Sequence, residues 1–440
     1  MADDASDPHE GPRETLAKGA FAIVFSVSFV TAVGNTGLQS VLPAIGREIG
    51  VQDWLVAAIY SLSALLWAAG APHWAKRADV RGRKPLMVLG LVGFAISMLL
   101  CTGVIFVGGL RILPVGLIFV AFLLSRALFG WLGSAAPPAS QAYLTDRSHG
   151  QKRTDLIAGL AGSFGLGTII GPAIAPMFLF PILGLAGPTF AFALMALGVM
   201  VWVVTRLPET WPIPGHAVHP AAHHTAPAHP MWKDPRVRPF LIYGFLVSTC
   251  QTAQYQTLGF LIIDTLHIAP MAAQPFTAIA MIAGALAGLF AQWGLIRVFK
   301  LGPRVLLRWG VILAAIANVI TAFTPSFWML VVAFALSSLG YGFARPGFTA
   351  GASLAVPEKD QARAAGAVSA VIGLNTVAAP LFVFVYQHFR PGPYVMNVVI
   401  LGAMAIYVVR EPLLRLAGVA PTTERQTAKS VERNDASSGF

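Results

Sequence analysis

Charge is scarce in this sequence. Of its 440 residues only 11% are Asp, Glu, Lys or Arg, while 56% are hydrophobic. Soluble domains carry about 25% charged residues, so this chain lacks the polar surface to coat a globule in water, and a mean hydropathy of +0.69 agrees. Cysteine is scarcer still. Cys101 and Cys250 both lie inside apolar runs, which excludes a disulfide framework and a cysteine metal site. No P-loop occurs, so ATP drive is not expected, and no motif asks for a cofactor. No apolar run pairs His, Asp or Glu at mid-depth as metal or general-base chemistry requires, so an intramembrane enzyme is not expected. A formal charge of +11 would suggest nucleic acid in a soluble protein, but the cations fall in short clusters between apolar runs with no aromatic interleaving. A nucleic-acid partner is therefore not expected. Residues 1–17 are acidic and polar, so the first apolar run reads as an uncleaved anchor.

What is abundant is long apolar runs. A spanning helix needs roughly 20 mostly apolar residues, and such runs cover 19–44, 54–74, 85–108, 113–143, 155–181, 185–206, 239–263, 272–297, 305–324, 326–355, 362–387 and 393–413. The predicted fold class is an all-α polytopic membrane protein of twelve transmembrane helices. The even number puts both termini on one side, and the basic residues say which. Of 30 Lys and Arg, 25 fall on the side of the termini, while Arg47, Arg111 and Arg390 fall on the other and Arg126 and Arg345 lie within spans. Cytoplasmic loops hold the excess of Lys and Arg, so both termini are expected in the cytoplasm.

The expected organisation is a cytoplasmic tail (1–18), a six-helix bundle (19–206), a cytoplasmic linker (207–238), a second six-helix bundle (239–415) and a disordered cytoplasmic tail (416–440). Rich in Pro, Ala and His, the linker reads as flexible. Its histidines, His216, His219, His223, His224 and His229, are irregularly spaced without Cys or carboxylate partners, so no metal site is expected.

The two halves repeat. AFLLSRALFG (121–130) lies over AFALSSLGYG (333–342), FGLGTIIGP (164–172) over IGLNTVAAP (372–380), and Arg77, Gly82 and Gly90 over Arg297, Gly302 and Gly310. Three matches in one order, at offsets near half the chain, mark an internal duplication of the kind used for alternating access.

With twelve helices in two halves and a central linker, the chain resembles the major facilitator superfamily. Three motifs carry the resemblance. The loop Ala75-Lys76-Arg77-Ala78-Asp79-Val80-Arg81-Gly82-Arg83-Lys84 is similar to the family's G-x-L-A-D-R-x-G-R-[RK], matching at Asp79, Gly82, Arg83 and Lys84. Gly82 permits a tight turn, and Asp79 is expected to pair across the halves when the cytoplasmic face is closed, a gate. In the fourth helix Arg126-Ala-Leu-Phe-Gly130-Trp-Leu-Gly133 resembles the family's R-x-x-x-G-x-G, which implies proton coupling or substrate contact for Arg126. In the fifth, Gly167-Thr-Ile-Ile-Gly171-Pro172-Ala-Ile-Ala175-Pro176 resembles the antiporter motif G-x-x-x-G-P-x-x-G-G, except that Ala175-Pro176 stands for the last Gly-Gly. This motif points to drug:proton antiporters, including tetracycline-resistance exporters.

Polar stripes mark the expected cavity: Asn35 and Gln39 on the first helix with Ser28 and Thr31; Gln251, Gln254 and Tyr255 on the seventh; Tyr341 and Arg345 on the tenth; Asn375 on the eleventh. Polar groups facing lipid are costly, so these stripes are aimed inward. No span carries a carboxylate at mid-depth. A transporter of hydrophobic cations needs one to attract its substrate, so the expected substrate is amphipathic and neutral, zwitterionic or anionic. A proton carrier would then be peripheral, with Asp264, Asp53 or Asp79 as candidates and His267 a weaker one. The resulting expectation is a monomeric secondary transporter of the plasma (inner) membrane, exporting small amphipathic compounds or drugs in exchange for protons. The alternative is an organic-anion importer or exchanger using Arg126 and Arg345. The duplication and the gate-like loop speak against a receptor or scaffold that does not transport.

Overall fold

The computed structural model describes residues 17–415 apart from 18, 149, 209–230 and 324–325. The tails, most of the linker and its five histidines lie outside the described residues. Twelve helical segments follow one another: α1 Ala20–Ile49, α2 Asp53–Arg81, α3 Arg83–Gly109, α4 Val115–Asp146, α5 Gly150–Ile174, α6 Gly187–Arg206, α7 Arg238–Leu266, α8 Gln274–Phe299, α9 Pro303–Ala322, α10 Phe327–Leu354, α11 Glu358–Leu374 resuming over Ala379–His388, and α12 Gly392–Arg410. Each answers to one predicted span, and helix is what the bilayer demands, because it satisfies every backbone polar group internally.

Eleven of these segments are both long and apolar enough to cross a bilayer. The exception is α7. It is long enough at 29 residues, but it carries Gln251, Gln254 and Gln256, and 18 of its residues are buried. A helix surrounded by others can be less apolar than one facing lipid, and α7 packs against α1, α10, α11 and α12.

Small residues set the helix contacts. A Cβ on Gly90 of α3 would strike Ala136 of α4, and one on Gly310 of α9 would strike Ala344 of α10. Gly90 and Gly310 are partners in the sequence repeat, so the duplication is visible as one packing contact made twice.

The apolar interior divides unevenly. One continuous core takes in the whole first half together with Leu258, Phe260, Ile263, Leu330, Val383 and Tyr386 from one end of the second half. The other end of the second half, from Met231 and Tyr243 to Phe348 and Val408, forms a core of its own. The halves are thus fused at one end, marked by Arg47, and separately packed at the other, marked by Arg83.

Candidate functional site

At the Arg47 end, local structure makes the site. Gly50, at a φ of 84°, closes α1 by donating its N–H to the Gly46 carbonyl, a backbone conformation that glycine adopts without strain. α2 then begins at Asp53, so a cation in the last turn of one helix faces an anion in the first turn of the next, as both helix dipoles favour. Arg47 donates from Nε to Asp53 Oδ1 at 2.7 Å and from Nη2 to Oδ2 at 2.6 Å. The same guanidinium reaches across to the second half, donating from Nη1 to Asp264 Oδ1 at 3.0 Å and from Nη2 to Oδ2 at 3.2 Å. The Tyr386 hydroxyl donates to Asp264 Oδ2 at 2.6 Å, and Arg390 lies 3.8 Å from Asp264. Phe260 lies beneath the Arg47 guanidinium at 5.5 Å, and Trp54 meets Phe384 edge to face across the halves. Two of the three predicted peripheral carboxylates therefore share one arginine.

At the Arg83 end, Gly82 has a φ of 91° and alone joins α2 to α3, the tight turn its sequence predicts. Arg83, 7% exposed, donates from Nε to Asp146 Oδ2 of α4 at 3.0 Å, and Lys84 Nζ donates to the Val204 carbonyl of α6 at 2.9 Å. Both ties stay within the first half. Asp79 sits near the end of α2, and its side chain lies outside the described residues. Of two further ion pairs at this end, Asp234–Arg236 stays within the linker and Asp360–Arg363 within the second half.

Between the ends lies Arg126, 1% exposed. Its Nη2 donates to Asn35 Oδ1 at 2.6 Å, and its guanidinium stands 5.1 Å from the ring centre of Tyr60 and 4.6 Å from that of Phe129. Nε and Nη1 have no partner. The Tyr60 hydroxyl donates to the Asn35 carbonyl at 3.2 Å, so Asn35 is held at both its backbone and its side chain. Asn35 and Gln39 are half-buried.

On the facing side, Thr252 of α7 donates to Asn375 Oδ1 at 3.0 Å, and Gln251 and Tyr255 are half-buried. Gln254, 2% exposed, has no partner for either amide atom. Tyr341 takes a different place. It is 3% exposed, and its hydroxyl accepts from Asn318 Nδ2 at 3.4 Å, in a chain that continues through Asn397 to the Cys250 carbonyl. It ties the second half together and does not face an opening.

A rise of about 1.5 Å per residue sets depth. Arg126 lies ~16 Å below the start of α4 at Val115, and Gln254 ~18 Å below the end of α7 at Leu266. Arg345 lies ~27 Å below the start of α10 at Phe327, about one hydrocarbon-core thickness. The exposed Arg345 thus belongs to the Arg83 end, while Arg126 and Gln254 share the middle.

The halves also meet at mid-depth through a helix break. Pro380 has no N–H for the carbonyl four residues earlier, that of Thr376, and α11 makes a 3-10 turn over Asn375–Ala378. The Thr376 carbonyl accepts the Ala379 N–H in that turn and also accepts from Ser61 Oγ of α2 at 2.8 Å. In the antiporter motif the glycines serve close approach. A Cβ on Gly167 would meet the α1 backbone at Phe29 and Val33, and one on Gly171 would meet Val33 O, Thr36 and Gly37. Pro172 lies within α5, near its end. Among the described residues no group of three or more His, Cys, Asp or Glu could hold a metal ion.

A family model described as Major Facilitator Superfamily matches residues 24–299 and 261–435, almost the whole chain. The chain belongs to that superfamily. Among its superfamily relatives, tetracycline resistance protein class C of Escherichia coli is 23% identical over 91% of this chain and 97% of its own length. Multidrug resistance protein MdtG of Proteus mirabilis is 28% identical over 38% of this chain. The chain spans 40% or less of the length of MdtG and of the class B and class H tetracycline resistance proteins. Among solved structures, a bacterial homologue of the human lysosomal transporter Spinster in its inward-facing, unoccupied conformation superimposes with a TM-score of 0.69 at 14% identity, covering 94% of this chain and 98% of that one. The human organic anion transporter MFSD10 superimposes with a TM-score of 0.61 at 19% identity, covering 92% and 100%. These structures share the major facilitator fold, and the chain is a multi-pass member of that superfamily.

Sequence reasoning passed over Arg47, Tyr60, Asp146 and Tyr386. Arg47 had a signal: it is one of only three cations on its side of the membrane, and a rare charge kept there has a partner to hold. The others had none, since their partners lie on other helices, 25 residues away in the chain for Tyr60 and over sixty for Asp146 and Tyr386.

Proposed function

We propose that this superfamily member is a proton-coupled exporter of small amphipathic compounds, working by alternating access between bundles 19–206 and 239–415. The observation that carries the reading is the single guanidinium of Arg47 shared by Asp53 of one half and Asp264 of the other. The positive-inside rule makes that end the outer one, with both termini and the Arg83 end in the cytoplasm of a bacterial-type inner membrane. A closed outer face held by two carboxylates responds to protons arriving from outside. Protonation removes the charge that Arg47 holds, the halves part, and the site opens outward. In the opposite state the loop of Asp79, Gly82, Arg83 and Lys84 closes the cytoplasmic face. The names of the relatives support drugs as cargo. Import of an organic anion gripped by Arg126 and Arg345 together is supported less, because the two lie ~10 Å apart in depth.

Everted vesicles from cells expressing the chain test this. After respiration acidifies them, addition of tetracycline or another exported amphipathic compound should release protons. Transport of such compounds with no pH response in any case would overturn the coupling.

A further inference from the structure

Arg126 is a permanent cation in the middle of the membrane, and its surroundings do not neutralise it. It forms no ion pair among the described residues. Its one hydrogen bond is to a neutral amide, Asn35 Oδ1 at 2.6 Å, and the faces of Tyr60 and Phe129 flank it. Nε and Nη1 are left as buried donors without acceptors. An arginine at mid-depth costs roughly 2.5–3.5 kcal/mol even on the lenient insertion scales, and each unmet donor adds to that. A chain that needed the charge only for structure would have supplied a carboxylate. Instead the guanidinium is covered on one side by Asn35, which is itself half-buried, so the accessible surface comes within one side chain of it. At about the same depth the other half offers Gln254, buried and with neither amide atom partnered. Each half thus holds an unsatisfied polar side chain near the midplane.

We propose that Arg126, capped by Asn35 and flanked by Tyr60, is a subsite for an anionic group of the substrate, a carboxylate or similar delocalised oxyanion. A planar oxyanion fits the fork of donors that a guanidinium presents. It would take one of the open donors, Nε or Nη1, together with the second hydrogen of Nη2, which completes the paired edge on either side of the guanidinium, with the Tyr60 and Phe129 rings as an apolar wall for the aromatic or aliphatic body next to it. Gln254 would meet a hydrogen-bonding group on the far side when the halves close. The substrate itself then supplies the neutralising charge that the protein omits, which selects anions and zwitterions and rejects permanent cations. The proposal rests on the transport reading above and adds the chemical class of what is carried.

The test uses the full chain in lipid nanodiscs and three probes of one shape: 1-naphthoate, the uncharged 1-naphthamide and the cation 1-naphthyl-trimethylammonium, at fixed chloride. A ligand of the folded state raises the unfolding midpoint by mass action. Naphthoate should raise it at concentrations at least tenfold below any at which the amide does, and the cation should not raise it at all. Arg126→Gln should lose the naphthoate response and Arg126→Lys should keep part of it. Asn35→Asp puts an internal carboxylate beside Nη2, so it should raise the midpoint without ligand and abolish the naphthoate response. That variant keeps the test decisive if Arg126→Gln does not fold. Equal responses to the three probes, a naphthoate response that survives in Asn35→Asp, no naphthoate response up to its solubility limit, or a response that chloride alone reproduces would each overturn the subsite. Counterflow of radiolabelled naphthoate in proteoliposomes separates the two readings. Binding without counterflow would remove naphthoate transport and leave the subsite, whereas tetracycline export unchanged by Arg126→Gln would leave export and remove the subsite.

Discussion

The two ends of the molecule use the same chemistry toward opposite results. At the Arg47 end a guanidinium holds carboxylates from both halves, and the apolar core runs through both. At the Arg83 end a more deeply buried guanidinium holds Asp146 of its own half, and the second half keeps a separate core. An ion pair within a bundle stabilises that bundle in every state of the cycle. An ion pair between bundles stabilises only the state in which they touch, so it acts as a switch. The cations at the two ends are alike in kind, and their effect depends on which half holds the partner.

Substitutions break this comparison in order of size. Arg47→Ala should have the largest effect, because it leaves Asp53 and Asp264 facing each other without their shared cation. Losing one partner of a buried pair costs about 3–5 kcal/mol, discounted to roughly 2–3 because Arg47 is part exposed. That shifts the closed state by ~30-fold or more. A cysteine at Phe260, sealed beneath Arg47, should become reactive to an impermeant maleimide from the Arg47 side, and export should fall by a similar factor. Asp264→Asn should come next. It removes the cross-half anion but keeps the amide oxygen as an acceptor for Tyr386 and Arg47, so the same labelling should rise ~10-fold. It should also remove substrate-driven proton release in vesicles; proton release at the wild-type level would exclude Asp264 as carrier.

Arg83→Ala sharpens the contrast from the other end. It should lower the unfolding midpoint of the purified protein, at a cost of about 2–3 kcal/mol for a buried charged hydrogen bond, while leaving maleimide labelling behind Arg47 unchanged. Labelling that rises as much as in Arg47→Ala would show that the two ends are coupled more tightly than their contacts indicate. Ser61→Ala should be smallest. It removes one hydrogen bond between the halves, worth about 1 kcal/mol, and should shift the closed population ~5-fold with no change in the unfolding midpoint of either half.

Much of the fold was legible before any coordinates. Twelve apolar runs became twelve helical segments, and Gly82 took the positive φ of the tight turn it permits. Parts of the site were not legible. Asn35 and Tyr341 both lay on polar stripes, yet Asn35 meets Arg126 while Tyr341 is absorbed into the Asn318 and Asn397 network. A stripe shows which side of a helix avoids lipid, but both a cavity and a neighbouring helix satisfy that condition. Thr376 was visible as a polar residue beside Asn375 and as one letter of a repeat, but not as a contact between the halves. Its carbonyl is a contact because Pro380 turns the helix to a 3-10 bond there and because α2 brings Ser61 to it.

The sequence by itself determined the helix count, the duplication and the family, because apolar length and charge position act locally on each segment as it meets the bilayer. It also determined that two arginines would lie in spans without a mid-depth carboxylate. Only the tertiary structure decided that Arg126 meets Asn35, that Arg345 belongs to the far end, and that Arg47 joins the halves while Arg83 holds Asp146 of its own half. Those outcomes depend on which helix stands beside which. In a bundle, helix neighbours are set by side-chain packing over the whole molecule, which no single stretch of sequence contains.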